Sequence, residues 1–457
     1  MTDGFVPVHE VGGAPLKVVP DALCTRCGAC DPICPTNVVR FDERAFPFIE
    51  TEGCIACGLC VAVCPGVEFD YRKHYLERFG VDDPPAWLGG VYRTAWLCHS
   101  PRERVREAGS GGGVVSQILI SLLETGEIDA AITAGADPAD PLTPTPVICR
   151  TAEEVIASAG SKYCVVPQAK ILRQVRRLPG RFAFVGVGCQ IEGLRRLEGF
   201  NKNLARREIL TIGLACHGTL EKEATTDLLR HRRVPLSSVI RFRYRGGKFP
   251  GKFQVERAEE GTLDLHRFEY KDSAYNYLFR LYTPSRCLDC PDFSAEFTDV
   301  SVTDFWVRND KGDYLYPEGS SLVLCRSERG EAAMRRLIEG GHLLGFEVGR
   351  EDVDRSFRHL HREKRIAPFL RWQRRRRAGL PAPNYHLDPP TVSLRDRMAE
   401  AFQRATFVFS HRRFTRRMMV AFFFSPLGDL VTFFNVKRKR WVGRRKARRH
   451  PTTLPVG

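Results

Sequence analysis

Cys24-Thr-Arg-Cys27-Gly-Ala-Cys30-Asp-Pro-Ile-Cys34-Pro35 and, after a spacer, Cys54-Ile-Ala-Cys57-Gly-Leu-Cys60-Val-Ala-Val-Cys64-Pro65 decide how the front of this chain folds. Each half is C-x2-C-x2-C-x3-C-P, the run that binds 4Fe–4S clusters in bacterial ferredoxins. Three closely spaced thiolates reach three irons of one cubane only if the backbone curls around it. Gly28 and Gly58 permit that curl because they carry no Cβ. The fourth cysteine of each run serves the other cluster by the same rule. The expected ligand sets are Cys24, Cys27, Cys30 and Cys64 for one cluster, and Cys54, Cys57, Cys60 and Cys34 for the other. Pro35 and Pro65 turn the chain back. A disulfide framework would need an oxidising compartment, and no signal peptide precedes the run. Zinc favours tetrads of paired C-x2-C units over two four-cysteine runs closed by proline. The duplicated motif assigns this region to single-electron transfer.

The chain has 457 residues, room for two or three domains, and 16 cysteines. With no basic n-region or apolar h-region in Met1 to Pro20, those cysteines imply a reducing compartment and thiols used as ligands. The expected location is cytoplasmic, or peripheral on the cytoplasmic face of the membrane. A net charge of +16 suggests nucleic acid at first sight, but residues 351–457 hold 26 Lys and Arg against 8 Asp and Glu. The first 350 residues are left at −2. Basicity belongs to the tail, and no nucleic-acid partner is expected.

Residues 1–90 read as the ferredoxin-like module, closed by Asp82-Asp83-Pro84-Pro85. Beyond it strands and helices alternate, which favours an α/β fold with part of its sheet parallel, α+β in character for the whole chain. Thr94–Cys98, Ile128–Thr133, Phe182–Val187 and Ile209–Ala215 are the strand candidates. Val114, Ile118, Leu119 and Leu122 share one face of a helix that opens after Ser110-Gly111-Gly112-Gly113 and stops at Gly126. Asp137 to Pro146 reads as a proline-rich loop, and Thr151-Ala-Glu-Glu154 as a capping box. Another helix takes in Gly193–Leu197, and Val239 to Phe268 reads as antiparallel hairpins. The expected regions are 91–180, 181–350 and a basic tail, 351–457.

Eight cysteines remain. Cys189, Cys216 and the pair Cys287-Leu-Asp-Cys290 lie at strand ends or in polar loops. Spacing alone leaves three readings open: one more cubane, a zinc site, or buried apolar-like thiols.

Five segments, in order across roughly residues 93–340, resemble the family of beta subunits of coenzyme F420-reducing hydrogenase and F420-linked formate dehydrogenase. That family also includes 7-hydroxymethyl chlorophyll a reductase and divinyl chlorophyllide reductase. The segments are Ser110-Gly111-Gly112 with its helix, Gly160-Ser161-Lys162-Tyr163, Gly188-Cys189-Gln190 through Arg195, Cys216-His217-Gly218, and Cys287 to Trp306. The resemblance implies an FAD and a third 4Fe–4S cluster held by Cys189, Cys216, Cys287 and Cys290. Cys98, Cys149, Cys164 and Cys325 are then core thiols, with Cys98 second in line as a ligand. The chain departs from the family at Gly188, usually proline, and at Thr303, usually glycine. The second departure bears on a substrate pocket more than on a flavin.

Under this resemblance Ser110, Gly111, Gly112, Gly113 and Ser161 belong to the flavin site. Glycines at a helix N-terminus offer free N–H groups to a pyrophosphate, although such a turn also occurs as a plain strand–helix connection. Lys162 and Tyr163 are the polar pair expected nearest the flavin, and the only catalytic candidates. A cation there would stabilise the reduced flavin. The bland alternative is a solvated lysine beside a half-buried tyrosine. Cys216-His217 suits a ligand better than a nucleophile, and Asp304 with Trp306 reads as a loop closing the site.

In the tail, Arg374–Arg377 precedes a proline-rich linker, Leu394–Phe409 is amphipathic, and Met418 to Phe434 is apolar with basic flanks. That last stretch is too short and interrupted for a confident transmembrane helix. It suits an anionic membrane surface or a docking contact. The expected function is an iron–sulfur flavoprotein oxidoreductase that passes electrons between its 4Fe–4S clusters and FAD to a two-electron acceptor, coenzyme F420 by the resemblance, with ferredoxin or another redox protein as partner. The rivals are a reductase of a pigment-like organic substrate, and an electron-transfer subunit serving a partner enzyme.

Overall fold

In the computed structural model, which describes residues 16–137, 139–269, 274–309, 311–357, 360–449 and 454, both cysteine runs pack on a small antiparallel sheet. Its strands are Leu16–Lys17, Val39–Phe41 and Pro47–Ile49, with the last in the middle. Gly28 and Gly58 take φ of +88° and +70°, the left-handed curl expected of them. Arg26 and Ala56, at matching positions of the two runs, also have positive φ, so the duplication extends to the backbone path. Gly28 is constrained twice. A Cβ on it would lie 2.7 Å from both the Lys170 nitrogen and the Pro167 oxygen, so this loop lies flat against the body.

The body is built on eight strands: β1 (Thr94–His99), β2 (Ala130–Ala136), β3 (Pro144–Cys149), β4 (Phe182–Val187), β5 (Glu208–Leu214), β6 (Val300–Asp304), β7 (Ser321–Cys325) and β8 (Leu344–Glu347). Their spatial order is β8-β1-β7-β6-β5-β4-β2-β3. The centre, β6-β5-β4-β2, is parallel. The outer pairings are antiparallel. β4 is buried along nearly its whole length, as a strand covered on both faces must be. β3 corrects the loop expected over Asp137–Pro146. Pro144 and Pro146 fit a strand here because β3 pairs with β2 alone and stands at the sheet's edge.

Helix α1 (Val114–Glu124) covers one face with Val114, Ile118, Leu119 and Leu122, the side its spacing predicted. Helix α2 (Gly188–Phe200) covers the other. Its Ile191, Leu194 and Leu197 meet Phe182 and Phe184 of the sheet, and Cys27, Ala29 and Val63 of the ferredoxin module join the same cluster. One helix thus lies between the electron-carrying module and the sheet. Val239–Gly246, Lys252–Arg257 and Gly261–Asp264 form the expected hairpins.

The chain after residue 351 is not one tail. Val353, Phe357 and Leu360 pack with Leu97, Phe293 and Leu322. Helix α3 (Ala367–Arg377) contributes Trp372, which is buried with Tyr385, Phe69, Tyr71 and Phe297. The arginine run belongs to this packing, with Arg375 2.9 Å from Asp289 and Arg374 3.0 Å from Glu400. The chain then runs into three helices, α4 (Leu394–Ser410), α5 (Arg413–Phe423) and α6 (Pro426–Arg449).

Candidate redox site

The carboxyl ends of β4, β5 and β6 open into a cavity of about 950 Å³, where ligands sit in open sheets with parallel strands. Val187, Leu214 and Asp304, the last residues of those strands, all line it. So do Cys189, Cys216, Cys287 and Cys290, together with Ser110, Gly111, Gly113, Ser161, Lys162 and Tyr163. Cys24 of the first ferredoxin run reaches the same wall. Segments more than 150 residues apart in sequence therefore face one space.

Helix α1 begins at Gly113, φ +70°, without a side-chain cap, and Val114, Val115 and Ser116 of its first turn line the cavity. Uncapped N–H groups at a helix start suit an anion. The Ser110 hydroxyl accepts a hydrogen bond from the Ser161 nitrogen at 2.8 Å, joining the two segments expected at one cofactor. Gly112 stands behind the wall: a Cβ there would meet the Cys98 oxygen at 2.8 Å. At Gly111 a Cβ would come within 2.6 Å of Asp304. Asp304 is itself held by Arg245 at 2.6 Å, and Arg245 lies 5.0 Å from the Trp306 ring.

Lys162 is partly exposed at the cavity wall but not free to swing. Its ammonium donates to the carbonyls of Ser158 and Ala159, closing the C-terminus of the short helix Ala152–Ala157. Burial, with Arg241 and Arg243 nearby, draws its pKa down to about 7. Tyr163 packs edge-on against Tyr244, ring centres 5.3 Å apart. His217 is engaged by Glu363 and stacks on Phe279 at 4.6 Å, which argues against a nucleophilic Cys216–His217 pair.

The cysteines fall into three neighbourhoods. Beyond its own burial, Cys30 feels the charge of Cys24, Cys27 and Cys64, and also of Cys60 from the second run. Cys60 feels Cys34 and Cys57. Cys189 feels Cys290, Cys216 and Cys287, and across the module boundary Cys27. Burial pushes the thiols of Cys27 and Cys216 up to about 11, so metal binding there must displace protons. The first set is buried, whereas Cys57 is exposed and Cys54 and Cys60 are partly so. Cys98, Cys149, Cys164 and Cys325 are buried in the core clusters, and only Cys164 touches the cavity. Among the described residues, no three His, Cys, Asp or Glu side chains are set to hold a single metal ion.

Several cavity residues had no signal in the sequence. Lys364 sits in a single π-helical turn, Arg362–Ile366, and is buried. Burial opposes its charge, but Cys290, Cys216, Cys287 and Asp292 hold its pKa above the ordinary value. Arg286, next to Cys287, donates to the Leu23 carbonyl at 2.9 Å and to the Tyr385 hydroxyl at 2.6 Å. Gly188, where the family usually has proline, faces Asp292, whose carboxylate occupies the space a side chain would need.

Residues 95–173 match the profile described as coenzyme F420 hydrogenase/dehydrogenase, beta subunit N-term, and residues 180–347 match its C-terminal counterpart. The chain belongs to this family of beta subunits. Residues 23–67 match a 4Fe-4S dicluster domain, so an iron–sulfur module precedes the family fold. The coenzyme F420-dependent sulfite reductase of Methanocaldococcus jannaschii is 29% identical over 333 residues, 69% of this chain but 46% of that protein. The chain thus spans about half of that relative. The beta subunit of coenzyme F420 hydrogenase from Methanococcus voltae is 27% identical over 304 residues, 64% of this chain and 99% of that one. The 7-hydroxymethyl chlorophyll a reductase of Oryza sativa subsp. japonica is 27% identical over 254 residues, 55% of this chain and 50% of that one. Among solved structures, a chain of the F420-reducing [NiFe] hydrogenase complex from Methanosarcina barkeri superposes with a TM-score of 0.52. It is 22% identical and covers 66% of this chain and 98% of that chain, which speaks to the fold. Oxidoreductases are thus among the relatives of this chain, which adds a 4Fe-4S dicluster domain to the family fold.

Proposed function

We propose that this chain carries single electrons through its ferredoxin module to a third 4Fe–4S cluster on Cys189, Cys216, Cys287 and Cys290, and on to an FAD that trades electron pairs with coenzyme F420. One observation carries the reading: the third cysteine set, the uncapped start of α1 and Cys24 share one cavity. The order of burial supplies a direction in space. Cys57, exposed beside the exposed Ile55, offers the surface where ferredoxin or another redox protein would dock. Cys60 neighbours Cys30, and Cys27 neighbours Cys189.

The fit to FAD rests on the chain's own groups. The N–H groups at the start of α1 would receive the pyrophosphate, and Ser110 and Ser161 fix the loop that presents them. Lys162, tied to two carbonyls and with its pKa drawn down to about 7, places on the same wall an amine that is only partly protonated near neutral pH. FAD would supply the conversion between one-electron and two-electron chemistry that clusters lack. Resemblance to the F420-linked relatives favours F420 as the two-electron partner.

Anaerobic purification with iron, sulfide and flavin assays tests this. About twelve irons, from three cubanes of four, and one FAD per chain are expected, with bleaching or recovery of F420 absorbance on turnover. Eight irons would remove the third cluster, and absence of flavin would remove the pair-wise step. A flavin-loaded protein inert toward F420 would leave the organic-substrate reductase as the better reading.

A further inference from the structure

The last three helices leave rows of apolar side chains exposed, and α5 is apolar on its buried side as well. On α5, Val420 is buried in the cluster of Leu228, Leu281 and Tyr282, with Met419 and Phe423 packed beside it. Arg416 lies 4.6 Å over the Tyr282 ring. That is the face that holds the body. Phe414, Met418 and Phe422, spaced by four, are exposed, Phe414 to 74%. On α6 the exposed residues Leu427, Leu430, Val431 and Phe434 follow helical spacing and lead to Trp441. On α4 they are Leu394, Met398, Phe402 and Phe409. An exposed apolar patch of this extent marks an interaction surface.

Charge selects between a lipid surface and a protein groove. Between residues 394 and 445 there are 13 Lys and Arg against 3 acidic residues, and all the acids are taken. Asp396 holds Arg362 at 2.8 Å, Glu400 holds Arg374 at 3.0 Å, and Asp429 holds Arg267 at 3.2 Å. Arg412, Arg413, Arg417, Lys437, Arg438 and Arg440 remain exposed around the apolar stripes. Aromatic and cationic side chains flanking an apolar stripe are the pattern of an interfacial helix over anionic lipid. Among the described residues no single helix is long and apolar enough to cross a membrane; α5 and α6 together are, but they bend by 70° at their break, which interrupts the straight path a span would need. This geometry suits a chain that lies on the bilayer.

We propose that α4, α5 and α6 seat this protein on an anionic membrane surface, with the exposed apolar faces at the headgroup–acyl boundary. Phe402, Gln403 and Thr406 of α4 and Lys439 of α6 also line the cavity, so the seat brings the cavity mouth to the bilayer. This placement is independent of which acceptor the cavity serves.

The test uses the full chain, purified anaerobically with its clusters, and sedimentation with vesicles of phosphatidylcholine alone or with about one-third phosphatidylglycerol. The protein should pellet with the anionic vesicles, stay largely in solution with the neutral ones, and be released by salt. The triple variant Arg412→Glu/Arg413→Glu/Arg417→Glu should lose binding about tenfold or more, and so should Phe414→Ser/Met418→Ser/Phe422→Ser. Both should keep wild-type iron content, since these exposed side chains do not line the cavity. Equal binding to both vesicle types, no binding to either, or wild-type binding by the charge-reversed variant would overturn the proposal. Stoichiometric capture of these helices by a partner protein, with vesicles ignored, would do the same.

Discussion

Gly193 faces Cys27 across the boundary between body and ferredoxin module: a Cβ on Gly193 would lie 3.0 Å from the Cys27 sulfur and 3.2 Å from the Ala29 Cβ. It stands one turn beyond Cys189 on α2, so a single helix backs the first cysteine set and carries a proposed ligand of the third. A glycine within a helix costs about 1 kcal/mol relative to alanine, and close approach is what that cost allows here. Gly193→Ala should shift the electron paramagnetic resonance signal of the first cluster with iron retained. Gly193→Leu overpacks the boundary, a cost of about 1–3 kcal/mol, and should lower iron from about twelve to about eight per chain. Full iron and unchanged spectra in Gly193→Leu would mean that the contact is slack.

The third cysteine set can be separated from the core thiols by a pair of substitutions. Cys290→Ser removes one proposed ligand at the cavity and should lose about four irons per chain. Cys98→Ser, in the core on β1, should keep all the iron and lose only stability, by roughly 1–3 kcal/mol for an ill-matched buried hydroxyl. Iron assay and thermal midpoint on both variants decide the matter. Iron loss in Cys98→Ser would exchange their roles.

Both cysteine runs were legible because a cluster motif is local: spacing, glycine and proline all fall within a dozen residues. Three of the four parallel central strands were legible too, since each carries its own apolar run, but β6 was not: Val300-Ser-Val-Thr-Asp304 alternates with polar residues, and Asp304, expected in a loop, ends that strand. Long-range electrostatics was not. Arg26 meets Glu221 across 195 positions, and neither residue has a periodic or motif signal. Lys364 came from a charged stretch indistinguishable from a solvated helix face. Lys162 was found as a residue, but its partners are backbone carbonyls of a helix end whose position depends on the fold.

The Arg26–Glu221 pair offers a test of module docking. The guanidinium donates twice to the carboxylate, at 2.8 and 3.1 Å, and Arg44 adds a third contact at 3.0 Å. Both partners are largely buried, so removing one leaves a charge without its counterpart, at a cost of about 3–5 kcal/mol. Glu221→Gln should therefore lower the thermal midpoint more than the double change Arg26→Met/Glu221→Gln does. Additive losses would show that the pair is not coupled.

His74 sets one component of acid sensitivity. Its ring stacks on Phe69 at 4.3 Å, and burial, with Arg78, Arg195 and Arg196 nearby, draws its pKa from 6.5 down to about 4. The folded protein thus keeps His74 neutral while the unfolded chain takes up a proton below about pH 6.5. Between those values the unfolded state binds more protons, so stability falls as pH falls. His74→Phe should show a smaller loss of urea midpoint between about pH 7 and about pH 5 than wild type. An equal loss would assign the sensitivity elsewhere.

Lys364 tests the electrostatics of the proposed third cluster. It lies outside the matched family region, which ends at residue 347, yet Cys216, Cys287 and Cys290 all act on its charge. Reduction adds a negative charge to a cluster, and a cation held in a water-poor wall stabilises that state more than the oxidised one. Removing the cation must lower the reduction potential. Lys364→Met, close in volume and neutral, should lower the potential of the third cluster by about 60 mV if the effect is tenfold in the equilibrium constant. Lys364→Arg should restore most of it. The two ferredoxin clusters provide the internal control, because their potentials should stay in place while the third moves. Redox titration followed by electron paramagnetic resonance reads all three. A uniform shift would point to a change of the whole fold, and an unmoved third potential would place the ammonium too far away to matter.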